Sequence, residues 1–301
     1  MAKAREVRKR MKAVANIRRI TKTMQMIATS KFARAQQRAL ATKPFTEGIF
    51  DLVRELAAKA GNISHPLING PSGGPKGGEL LLVITSDRGL CGPYNGNVLR
   101  AARDHVRKDG SKRGELPQGL SLEIVGKKGI GFLRFAGIPI SRQLTQFGDK
   151  PAYADVEKLG QEYMDRFTKG EVSAVRIAFM RYISTSRQRP EILQLLPLKP
   201  PAAGEGAAGE GKPERTVQYE FSPDPERLLA DLLPLSVKAT LFQCFNDAIV
   251  SEHVSRMIAM KAATDNAGKM GKVLQRRYNR ARQSQITTEL TEIVSGAAAL
   301  E

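Results

Sequence analysis

The chain has 301 residues, 41% apolar and 26% charged, the composition of an ordinary globular protein of one or two domains. Trp is absent and aromatics reach only 6%, which argues against a large aromatic-lined pocket; Cys91 and Cys244 lie far apart and give neither a metal spacing nor a disulfide framework. The 48 Lys and Arg against 30 Asp and Glu leave a net charge of +18, which calls for an acidic partner: nucleic acid, anionic lipid or an acidic protein surface.

The first stretch, 1–60, reads as one helix. Apolar residues recur at three- and four-residue steps, at Val7, Met11, Val14, Ile17, Ile20, Met24 and Ile27, among good helix formers. Pro44 is a candidate kink. A continuous helix here would extend ~87 Å, too long for a compact domain and suited to a coiled coil. No apolar run approaches the ~20 residues of a membrane span. The N-terminus has no uninterrupted apolar stretch of the kind a secretory signal carries.

Residues 61–78, rich in Gly, Pro, Asn and Ser, read as a linker. From 79 to 199 the pattern changes. Strands are expected at Glu79–Thr85, Leu120–Val125, Ile140–Gln146, Val172–Ile183 and Ile192–Leu196. Helices are expected at Asn95–Lys108, Lys128–Phe135 and Ala154–Thr168. That alternation implies a small α/β, Rossmann-like domain with a mostly parallel sheet. Residues 200–215 are low-complexity Pro, Gly, Ala and Glu and read as a disordered insertion. The segment 216–301 returns to helix, with Ile286, Leu290, Ile293 and Ala297 in step and Pro234 as a candidate bend. About 75 helical residues would span ~110 Å. The fold class is therefore α+β overall. Two long terminal helices pair as an antiparallel, left-handed coiled coil, each burying the other's apolar stripe, beside the small α/β domain.

Several features invite sharper readings. The first forty residues hold twelve Lys and Arg and one acid, Glu6. This is a solvated helix face, a targeting peptide, a nucleic-acid surface, or a basic face set against acidic protein loops. The apolar periodicity runs far past any cleavage point. Phe32 alone would be available for base stacking, which weakens the nucleic-acid reading. Gly126-Lys127-Lys128-Gly129-Ile130-Gly131 follows a strand, but matches neither the dinucleotide fingerprint nor a Walker A loop, and reads as a strand-to-helix turn. His65, His105 and His253 are scattered, with no helix-spaced metal partner. Asn62-Ile63-Ser64 matches a glycosylation sequon in a chain with no other sign of secretion.

Three segments stand out together. They are Ile17-Arg18-Arg19-Ile20-Thr21-Lys22-Thr23-Met24-Gln25-Met26-Ile27-Ala28 with Ser30-Lys31, then Thr85-Ser86-Asp87-Arg88-Gly89-Leu90-Cys91-Gly92. The third runs from Met257 through Met260-Lys261-Ala262-Ala263-Thr264-Asp265-Asn266-Ala267 to Glu289-Leu290-Thr291-Glu292-Ile293-Val294-Ser295-Gly296-Ala297-Ala298. In this order they resemble the gamma subunit family of F-type ATP synthases. There are departures. Pro93 stands where a glycine is common, Phe32 where a methionine is common, and Phe221-Ser222 where Tyr-Glu is frequent. The cysteine-bearing insertion of chloroplast relatives is missing, so no thiol switch is expected.

The resemblance implies a non-catalytic rotary shaft coupling proton flow through a membrane c-ring to ATP synthesis or hydrolysis at beta subunits. The implied partners are the alpha, beta and epsilon subunits and the c-ring, in a hetero-oligomer with one copy of this chain. ATP, ADP and Mg²⁺ would bind alpha and beta, leaving this chain without a cofactor, a metal or a catalytic residue. The implied location is peripheral, on the cytoplasmic side of a bacterial plasma membrane. The residues implied to contact beta are Arg18, Arg19, Lys22, Met24, Lys31, Arg256, Gln283 and Thr287; those implied at the rotor foot, against epsilon and the c-ring, are Tyr219, Phe221 and Ser222. The alternative from another class is a basic nucleic-acid-binding helical hairpin.

Overall fold

The computed structural model describes residues 2–60, 65–70, 74, 77–108, 116–117, 119–198 and 225–298. The expected insertion at 200–215 and the rotor-foot residues Tyr219, Phe221 and Ser222 lie outside them. Contacts divide the chain into two units: Met1–Lys31, Leu90–Gly92 and Val254–Glu301 in one, and Phe32–Gly89 with Pro93–His253 in the other. The division cuts across the long helices rather than falling at their ends.

The larger unit is built on a five-stranded sheet in the order β3-β2-β1-β4-β5. The strands are β1 (Glu79–Ile84), β2 (Ser121–Val125), β3 (Arg142–Leu144), β4 (Ala174–Tyr182) and β5 (Gln188–Leu196). The first four run parallel and β5 closes the edge antiparallel to β4. The leucine run of β1 is buried at every position but Glu79, as a central strand covered on both faces must be. Helices α3 (Tyr94–Lys108), α4 (Lys127–Phe135) and α5 (Tyr153–Thr168) connect the strands. One continuous core joins Val175, Ile177 and Phe179 of β4 to Val156, Leu159 and Tyr163 of α5. It extends to Ile49, Val53 and Leu56 of α1 (Ala2–Ala60) and to Leu229, Val237 and Phe245 of α6 (Pro225–Ala298).

Where the segments differ from the sequence reading, the reason is local. β3 shrinks to three residues at the sheet edge. β5 starts four residues earlier than its apolar run, because a hairpin pairs Gln188 with Tyr182. The presumed linker contains a short helix, α2 (Pro66–Asn69), started by a proline and by the His65 ring accepting a hydrogen bond from the Leu67 N–H at 3.2 Å. Pro44 and Pro234 lie inside helices that continue through them.

In the smaller unit the ends of α1 and α6 pair antiparallel. Thr21 meets Thr264, while Arg18, one turn back, lies over Gly268, one turn on. Half-buried and buried positions advance by three and four along α6 at Met257, Met260, Thr264, Ala267, Gly271, Leu274, Tyr278, Ala281 and Gln285. On α1 the matching positions are Met11, Val14, Thr21, Gln25 and Ala28.

This seam follows the apolar stripe read from the sequence through Val7, Met11 and Val14, which are half-buried, and parts from it beyond them. Ile17, Ile20 and Ile27 are 52%, 58% and 52% exposed. The stripe from Val7 to Ile27 advances about 3.3 residues per step and a coiled-coil seam 3.5, so the stripe slides one residue off the seam by Ile17. At the other end, the register brings Ala2 about level with Gln283, so α6 outruns its partner and Ile286, Leu290 and Ile293 are exposed instead of packed. One window of α6 has a mean hydropathy of 1.4, and nearly half of that window is buried within the protein, as in a core helix.

Candidate functional site

The smaller unit concentrates the charge: its 80-odd residues carry 18 Lys and Arg against five Asp and Glu, so most of the chain's net +18 sits there. Arg18, Arg19 and Lys22 are exposed, and Met24 and Lys31 are half-buried. A groove of about 760 Å³ runs between the two helices, flanked by Arg18, Arg19, Lys22 and Lys272, with Asp265 as the acid among its lining residues. Gly268 and Gly271 line the same groove, where the absence of side chains widens it. Beside these cations stand the exposed apolar side chains Ile17, Ile20, Met26 and Ile27. A face that is both cationic and apolar is fitted to a protein surface bearing carboxylates, not to bulk water.

Gln283 and Thr287 are exposed and share one turn, the Thr287 hydroxyl donating to the Gln283 carbonyl at 3.0 Å. Arg256 does not join them. It is 27 residues away, about 40 Å along the helix, and only 9% exposed. The exposed cation beside Gln283 is Arg282, which the sequence reading passed over although Arg282-Gln283 are adjacent. No single short loop can touch both Arg256 and Thr287.

In the larger unit the second family-like motif is structural. Thr85 donates its hydroxyl to the Val125 carbonyl at 2.6 Å and accepts from the Gly129 N–H at 3.1 Å. The backbone N–H of Ser86 donates to Asn95 Oδ1 at 3.0 Å, and the Ser86 hydroxyl donates to the Arg88 carbonyl at 2.8 Å. Asp87 accepts from the Lys127 N–H at 3.0 Å, at the start of α4. A helix N-terminus after a glycine turn can bind phosphate; here a carboxylate of the chain itself holds that position. The crevice at the carboxyl ends of the strands, where doubly wound sheets bind dinucleotides, is lined by Phe245, Ala248 and Glu252 of α6. The space left is about 20 Å³, roughly one water. The Gly126–Gly131 segment is accordingly the strand-to-helix turn expected of it, with Gly126 at φ 96°.

Two charge clusters, one centred on a buried carboxylate and one half-buried, went unseen in the sequence because their members are far apart in it. Glu123 on β2, 3% exposed, accepts from the Tyr163 hydroxyl and the Arg166 guanidinium, both at 2.8 Å. Burial, reinforced by the neighbouring Glu123 carboxylate, holds the Tyr163 hydroxyl well above its ordinary pKa. Glu79 is bound by His105 at 2.8 Å and Arg176 at 2.7 Å, which gives one of the scattered histidines an acidic partner. Among the described residues, no group of three His, Cys, Asp or Glu is arranged to hold a metal.

A family model described as ATP synthase matches residues 3–300. The chain is similar to the ATP synthase gamma chain of Rhodopirellula baltica, with 42% identity over 301 residues and all of both chains covered. It is similar to the ATP synthase gamma chain of Leptospira biflexa at 38% identity over 302 residues, again across the whole of both. Among solved structures, a chain from the rotor of the Euglena gracilis mitochondrial ATP synthase in rotational state 1 matches with a TM-score of 0.63 at 17% identity, covering 94% of this chain and 98% of that one. A chain from the OSCP/F1/c-ring structure of the same organism's ATP synthase, rotational state 3, gives a TM-score of 0.64 at 17% identity, covering 99% and 94%. At that identity the structural likeness speaks for the fold; the full-length sequence relatives speak for the family. The chain belongs to the ATP synthase gamma chain family.

Proposed function

We propose that this chain is the central rotary shaft of a proton-translocating ATP synthase. The paired ends of α1 and α6 would turn inside a ring of alpha and beta subunits. The larger unit would meet epsilon and the c-ring, on the cytoplasmic side of a bacterial membrane. The chain itself is non-catalytic, and ATP, ADP and Mg²⁺ would bind alpha and beta. The observation that supports this best is the exposed face of the helix pair, where Arg18, Arg19 and Lys22 flank Ile17 and Ile20. A shaft acts only by contacting one conformation of a neighbour better than another. Swinging a site from 1:99 to 99:1 takes about 5.5 kcal/mol of differential interaction, which many shallow contacts along a helix can supply.

Arg18, Arg19, Lys22 and Lys31 would face acidic loops of beta, with Met24 sliding past them. Gln283 and Thr287, with Arg282, would form a separate contact nearer the tip. Tyr219, Phe221 and Ser222 would belong to the foot. Reconstitution with purified alpha and beta subunits, followed by an ATPase assay, tests the reading. A complex whose ATPase activity depends on this chain is expected; failure to join alpha and beta would overturn it. None of the comparisons favours the nucleic-acid alternative.

A further inference from the structure

Between α1, the β4–β5 hairpin and the first half of α6 lies a cavity of about 410 Å³, every lining residue of which belongs to the larger unit. Its size is that of a small-molecule site. Leu40, Phe179, Ile183 and Leu193 make part of the wall apolar, and polar groups come from all three elements: Lys43 and Glu47 of α1, Arg181 of β4, and Gln243 and Asp247 on one turn of α6. There the Gln243 Nε2 donates to Asp247 Oδ1 at 2.9 Å. That leaves Gln243 Oε1 buried and without a hydrogen-bond partner.

The charges around the cavity decide what it would take. Lys43 pairs with Glu47 at 3.4 Å and Arg181 with Glu191 at 2.8 Å. Cys244 is buried and its thiol is pushed far up by burial, so it stays neutral. Tyr182 accepts at its hydroxyl from Gln36 Nε2 at 3.4 Å. Asp247 remains as the carboxylate not offset by its own ion pair among the described residues. We propose that this cavity binds a small organic cation, an ammonium or amidinium on a compact apolar body, its head group donating to the Asp247 carboxylate while the body lies on Leu40, Phe179 and Leu193. Burial lifts the Asp247 carboxyl to about 6, with Glu191 adding to the rise and Gln243, Arg181 and Lys43 opposing it, so the group is an anion at pH 7.5 and the cation restores its lost solvation.

The test is calorimetric titration of the full chain with benzamidinium at pH 7.5, beside benzyl alcohol and benzoate. Saturable 1:1 binding of benzamidinium is expected, with neither comparator binding. Asp247→Asn should weaken it at least tenfold, and Gln243→Glu, which adds a second carboxylate, should strengthen it. Circular dichroism of each variant separates lost binding from lost folding. Absence of saturable binding to the intact chain, equal binding by benzyl alcohol, or a folded Asp247→Asn that binds as well as the parent would each overturn the proposal.

Discussion

The Thr264 hydroxyl donates to Thr21 Oγ1 at 2.9 Å across the helix pair, between residues 243 positions apart in sequence. The Met260 carbonyl, which can only accept, lies 2.8 Å from the same hydroxyl, so its one proton is shared between its own helix and its neighbour. This polar pair occupies a seam position where coiled coils usually place Leu or Val, and a polar pair at such a site fixes register more than it adds stability. A double-mutant cycle with Thr21→Val and Thr264→Val is expected to show a coupling of about 0.5–1 kcal/mol. Chemical denaturation of the four proteins measures it, and strict additivity would mean that the two hydroxyls do not interact.

The loop after β1 carries a second prediction. Gly129 packs so closely against Thr85 and Ile124 that an added Cβ would collide with both side chains. Gly129→Ala is therefore expected to destabilise the protein by about 1–3 kcal/mol, through overpacking at the sheet. Asp87→Ala removes the acceptor for the Lys127 N–H and should cost about 1 kcal/mol. Denaturant midpoints at constant slope would check both.

A third concerns pH. The Asp247 carboxyl titrates near 6 in the folded chain, raised by burial from an ordinary 3.8. The sign follows from proton binding. Between those values the folded protein holds a proton that the unfolded chain has released, so stability falls as pH rises from about 4 to 6 and then levels off. Asp247→Asn should remove that slope and raise stability at pH 7.5 relative to the parent, by on the order of 1–2 kcal/mol. Unfolding free energies at pH 4.5, 6 and 7.5 supply the comparison; parallel curves for parent and variant would refute it.

How far sequence reached can be read from these same residues. Leu80–Ile84 announced a buried strand because five apolar residues in a row have no solvent face, and the parallel sheet followed from helices spaced between such runs. The helix pair was legible from its length. Its seam was legible only as far as Val14, because a step of about 3.3 residues and one of 3.5 are indistinguishable over one turn and diverge only over several. Glu123, Tyr163 and Arg166 form a contact spanning 40 and more residues, which no local pattern encodes. Arg256 was grouped with the Gln283–Thr287 stretch by resemblance and by helical spacing, but the helical rise sets it about 40 Å away.

Met24 separates packing from function on the proposed shaft. It is half-buried, immediately before the seam residue Gln25, so one side of its chain lies along the pair and the other is open. In Met24→Lys the aliphatic stem can keep the packed side while the ammonium turns outward to water, so the pair should lose less than about 1 kcal/mol. The new cation would stand near Lys22 on a face already strongly positive. Against an acidic loop of beta it would pair in some rotary positions and not in others. Each ~1.4 kcal/mol by which one position is deepened slows escape from it tenfold. The expected outcome is normal assembly and nucleotide binding with fewer protons pumped per ATP hydrolysed. Ile20→Lys, at a position 58% exposed and off the seam, should leave the melting temperature of the isolated chain nearly unchanged and so serves as the charge control with little packing change. Proton pumping in reconstituted vesicles, measured beside the melting temperatures of both variants, decides the matter. Normal coupling together with a lowered melting temperature for Met24→Lys would place Met24 in the seam and remove it from the contact with beta.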